Sequence, residues 1–88
     1  MRKNVLRFIR RSAEFLEIDQ IRNIPRNLRG IYVLYDKQSG KSRRTIYDLR
    51  YIGMPVTGIG GRLRSHRRSK RKTGEWTHFS IFEVWDNV

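Results

Sequence analysis

The chain has 88 residues, with 20 Lys and Arg against 8 Asp and Glu, for a formal net charge of +12. That length admits a single domain with a small core, and the lack of cysteine excludes disulfide frameworks, cysteine-based zinc sites and thiol catalysis. The charge calls for a polyanionic partner, nucleic acid ahead of a membrane surface, because the most basic stretch lacks the apolar face that an interfacial helix needs.

From the N-terminus, Val5, Phe8, Ile9, Ala13 and Leu16 recur at three- and four-residue spacing, which predicts a helix over residues 4–18. Arg2, Lys3, Arg7, Arg10 and Arg11 supply a solvated face. These arginines interrupt any signal-like apolar run, and no segment approaches the roughly 18 apolar residues of a membrane span. A soluble, cytoplasmic protein is expected. Pro25 and Gly30 then mark residues 23–30 as a connector.

Gly30 to Asp36 is β-branched and aromatic on both faces, the pattern of a covered, central strand. Arg44 to Gly53 reads as its hairpin partner across a long loop. Folding about Lys41-Ser42 would set Tyr32 opposite Tyr51. Met54 to Gly61, with one proline and three glycines, reads as a loop, Arg62 to Arg71 as a helix, and Trp76 to Trp85 as a third strand. The glycines of residues 57–61 could bring backbone N–H groups to a phosphate at the helix start, but the Gly-Lys-Ser/Thr of a nucleotide-binding loop is missing and a plain flexible turn is the first reading.

The helix carries seven Lys and Arg between Arg62 and Lys72, with no acid from Leu63 to Gly74. Such a face meets solvent or an anion, and each phosphate it neutralises would make binding salt-dependent. Arg64, Arg67, Arg68, Lys70, Arg71 and Lys72 are the candidate nucleic-acid contacts. Arg62 and His66, four apart, share one face.

Gly30-Ile31-Tyr32 and Tyr51-Ile52-Gly53 together spell the two name-giving motifs of the GIY-YIG nuclease family, in order and on adjacent strands. The segment Gly61-Arg62-Leu63-Arg64-Ser65-His66 resembles the family's helix, in which an arginine precedes a histidine or tyrosine by four positions. The resemblance spans Gly30 to about Trp85. It implies an α/β (α+β) fold with a small three-stranded antiparallel sheet flanked by helices. It also implies a division into residues 1–29, helix and connector, and residues 30–88, the nuclease-like domain.

By the same resemblance the chain would be a DNA endonuclease using Mg²⁺ or Mn²⁺ and no small-molecule cofactor. Tyr32 would activate water as a phenolate whose pKa neighbouring cations lower. Tyr51 would hold the scissile phosphate or that water, Arg62 would clamp the phosphate oxygens, His66 would hold Tyr32 or relay its proton, and Gly53 would let the nucleic acid approach the backbone closely. The family's metal-binding glutamate lies on a helix after the third strand, and this chain ends at Val88, so a chain cut before that helix is expected. Glu75, Glu83 and Asp86 match no family position, which leaves the metal ligand and the oligomeric state open. The rival readings are a non-catalytic DNA- or RNA-binding module on the same scaffold and a small basic protein of a ribonucleoprotein.

Overall fold

A computed structural model describes residues 9–39, 45–55 and 58–84. Its strands are β1 (Ile9–Glu17), β2 (Gly30–Ser39), β3 (Thr45–Gly53) and β4 (His78–Val84), with one α-helix, α1 (Ile59–Arg68), between β3 and β4. A 3₁₀ segment, Ile18–Asn23, comes after β1. The strands form one sheet in the order β1-β4-β2-β3, and every neighbouring pair is antiparallel.

This corrects the expected three-stranded sheet flanked by helices: the described fold is β-rich, four-stranded, with a single short α-helix on it. Of the expected helix over residues 4–18, Ile9 to Glu17 is strand β1, Ile18 opens the 3₁₀ segment, and residues 4–8 lie outside the described residues. The misleading spacing has a physical source. Ala13 pairs with Ile81 and Leu16 with Phe79, so a bulge places two residues three apart on the same face of a strand. Phe15, inside that bulge, takes the left-handed conformation (φ 54°), and its backbone N–H donates to Ser80 Oγ at 2.9 Å. Because β1 pairs along β4, it belongs to the same sheet as β2 and β3 and does not stand apart as a separate N-terminal unit.

The β2–β3 hairpin forms as expected, with β2 internal in the sheet, but its register is shifted. Tyr32 faces Gly53 and Leu34 faces Tyr51, and Arg50 bulges out between Leu49 and Tyr51. Alternation still leaves Tyr32 and Tyr51 on one face, diagonal to each other rather than opposed. The turn about Lys41-Ser42 and the strand start at Arg44 lie outside the described residues, as do Thr57, Trp85 and Asp86.

One face of the sheet carries the core. Tyr32 and Leu34 of β2 and Phe79 and Ile81 of β4 meet Ile59 and Leu63 of α1, with Ile21, Ile24, Leu28 and Trp76 around them. On the other face Phe15 stacks 4.9 Å from Tyr35 and 4.5 Å from Tyr47, beside exposed Leu49 and Ile52. The helix begins three residues earlier and ends three earlier than the basic run predicts. Gly58 supplies the positive φ (55°) at its start, where a Cβ would strike the Arg26 carbonyl oxygen. The Ile59 N–H donates to Leu28 O at 2.7 Å. The glycine-rich helix start therefore docks on the connector instead of cradling an anion.

Candidate active site

Ile59, Leu63 and His66 fall at intervals of four and three along α1, and all three are buried against the sheet. The third is polar, so it needs a partner there. Tyr32 provides it: its hydroxyl oxygen lies 2.7 Å from His66 Nε2, and the tyrosine is only 1% exposed. Tyr51 closes the cluster, its ring stacked 6.1 Å from Tyr32 and tilted against the His66 imidazole at 4.8 Å. The indole N–H of Trp76 donates to the His66 carbonyl oxygen at 3.4 Å, which holds the last turn of α1 in place.

Gly53 is explained by this cluster rather than by nucleic acid. A Cβ there would run into the hydroxyl end of the Tyr32 ring, so the bare backbone opposite Tyr32 makes room for the phenol to reach His66.

Arg62, Ser65, His66 and Ser69 line a cleft of about 530 Å³, together with Arg71 and Lys72 from the turn after the helix. Burial, followed by the charges of Arg62 and Lys72, holds the His66 pKa below its ordinary value. Burial raises the Tyr32 pKa above the usual phenol value and Tyr51 adds to the rise, while Arg62 pulls the other way without winning. Tyr32 is therefore a neutral phenol at neutral pH, not the phenolate that the cations alone suggest. His66 is a neutral imidazole in a cationic cleft.

The remaining basic residues divide by position. Arg64 turns back from the cleft to donate to the carbonyl oxygens of Ile21 and Ile24, at 3.2 and 3.1 Å, and so fastens α1 to the end of the 3₁₀ segment. Lys70 pairs with Glu75 at 3.1 Å. Arg67 and Arg68 are exposed on α1 without lining the cleft, whereas Arg71 and Lys72 do line it. The two serines were missed by sequence reasoning, yet their spacing from Arg62, three and seven, marks the same helix stripe.

The donors present do not suit the divalent metal that the resemblance implies. The cleft offers guanidinium, ammonium, imidazole and hydroxyl groups, whereas Mg²⁺ takes oxygen ligands, carboxylates first. Glu83 is committed to Arg11 at 2.6 Å, and Glu75 to Lys70. No group of three or more His, Asp or Glu that could hold a metal occurs among the described residues. Among them, too, no helix is long and apolar enough to cross a membrane.

Comparison of the chain with protein-family models, with curated proteins and with solved structures finds no match.

Proposed function

We propose that the chain is a nucleic-acid phosphodiesterase domain of the GIY-YIG type, acting as an endonuclease on DNA in the cytoplasm. The observation that carries this reading is the buried Tyr32–His66 hydrogen bond set at the wall of a cationic cleft. Phosphate binding alone calls for cations and needs no buried phenol–imidazole pair.

In the proposed chemistry, Nε2–H of neutral His66 donates to the Tyr32 oxygen, which fixes the tautomer and leaves the Nδ1 lone pair for the cleft. Nδ1 takes a proton from a water as that water's oxygen bonds to phosphorus. The bond from phosphorus to the leaving oxygen breaks, and the leaving oxygen takes its proton from solvent. Arg62 donates to the non-bridging oxygens, whose charge grows in the transition state. His66 faces the cleft and is the base, while Tyr32 behind it is the positioning residue. The divalent cation belongs to the proposal only through the family resemblance.

Incubation with supercoiled plasmid in Mg²⁺ or Mn²⁺, beside an EDTA arm, tests the reading. Nicking is expected, the EDTA arm showing whether it needs metal, and Arg62→Ala should lower it by about 10²-fold or more. Salt-sensitive binding with no nicking in any arm would instead mark the non-catalytic module, which the four cationic or imidazole side chains of the cleft suit as well.

The pH dependence comes from the two shifts. The rate should hold below pH 6.5, fall only as pH drops through the depressed His66 pKa, and lose no Tyr32 contribution until above pH 10. Arg62 is one cause of the His66 depression, so the acid limb of residual Arg62→Ala activity should move up toward pH 6.5. An acid limb that stays put in this variant contradicts the assignment of His66 as the base.

A further inference from the structure

Arg62, Ser65 and His66 of α1 and Ser69 at its C-cap line one side of the cleft, and phosphodiester hydrolysis by His66 uses only the Arg62–His66 end. Seven residues at 1.5 Å rise put Ser69 roughly 10 Å farther along the axis than Arg62, too far to grip the same phosphate. Arg71 and Lys72 stand at that far end, just past the helix C-terminus. The carbonyl end of a helix repels anions, so the two cations are what make this end able to hold one. The hydroxyls of Ser65 and Ser69 make no hydrogen bond among the described residues and are exposed to the cleft. Its volume suits a short stretch of one strand. Five of its six lining side chains are phosphate or sugar donors, and the single ring, His66, is tied to Tyr32.

We propose that the cleft holds two successive phosphates of one nucleic-acid strand, the first at Arg62 and His66 and the second at Ser69, Arg71 and Lys72, with Ser65 facing the sugar between them. It recognises the sugar–phosphate backbone and leaves the bases outside. This rests on the nucleic-acid reading of the same site.

Fluorescence anisotropy with labelled eight-nucleotide oligo-dT, oligo-dA and oligo-dC tests it, with pTpT and TpT as unlabelled competitors. The three oligonucleotides should bind within about threefold of one another, since backbone contacts carry no sequence. The doubly phosphorylated pTpT should compete better than TpT. In an Arg71→Ala/Lys72→Ala variant, whose two positions are exposed, that advantage should vanish and the slope of log Kd against log salt should shrink by about 0.7, the contribution of the one single-strand phosphate that these two side chains hold together. An Arg22→Ala/Lys37→Ala variant, removing two exposed charges elsewhere, should keep the wild-type slope. Circular dichroism checks that each variant is folded. An unchanged slope in Arg71→Ala/Lys72→Ala, equal competition by TpT and pTpT, or a more than tenfold preference among the bases overturns the two-phosphate cleft while leaving nucleic-acid binding intact. Failure of the wild type to bind any oligonucleotide overturns both readings.

Discussion

Tyr32→Phe is expected to lower the rate of plasmid nicking at saturating DNA by about 10²-fold or more, while the DNA concentration for half-maximal rate changes little. The variant keeps the ring, and with it the packing against Tyr51 and the space opposite Gly53. It removes only the oxygen 2.7 Å from His66 Nε2. The imidazole then loses the partner that fixes its tautomer and orientation, and Arg62 and Lys72 still grip phosphate. The unpaired buried N–H should also cost about 1–3 kcal/mol of stability, so denaturation must be measured beside the rate. A purely structural tyrosine would lose activity only in proportion to the unfolded fraction. Full nicking by folded Tyr32→Phe would remove Tyr32 from the mechanism.

Trp76→Ala is the substitution expected to damage the fold most. Trp76 is 2% exposed, packs edge-on against Phe79 at 6.5 Å between ring centres, and hydrogen-bonds the His66 carbonyl. Truncating a buried tryptophan costs about 3–5 kcal/mol, against a total of about 4–13 kcal/mol for a chain of this length. Urea denaturation should show the midpoint falling by a large fraction of its wild-type value. Trp76→Phe retains apolar bulk and should recover most of the loss, but not the tie to the last turn of α1. A midpoint unchanged by Trp76→Ala would mean that the core is not centred where α1 meets β4.

Much of the site is legible in the sequence because it depends on short-range periodicity. Tyr32 and Tyr51 lie on hairpin strands, Arg62 and His66 lie one helical turn apart, and these spacings bring the four together. What the sequence hides depends on bulges and on burial. The bulge between Ala13 and Leu16 gives a strand the spacing of a helix, so β1 and the fourth place in the sheet are read wrongly. The bulge at Arg50 moves Gly53, rather than Tyr51, opposite Tyr32. Arg64 looks like one more surface cation until the 3₁₀ segment supplies carbonyl oxygens for it. The cations around Tyr32 suggest a lowered pKa, and only its depth in the core reverses the sign.

The same balance sets a pH window for folding. A histidine depressed in the folded state binds its proton more readily when unfolded, so its contribution opposes folding as pH falls below 6.5 and stops growing once pH passes the folded value.

The central claim is that His66 is a neutral base, held by Tyr32, in a cleft that takes a phosphate. Titration of its ring nitrogens by ¹⁵N NMR, with and without bound oligonucleotide, tests that claim most directly. The account predicts a midpoint below 6.5 in the free protein that rises when the oligonucleotide binds, because a phosphate beside the ring favours the imidazolium. A midpoint at or above 6.5 that the oligonucleotide leaves unmoved would contradict it.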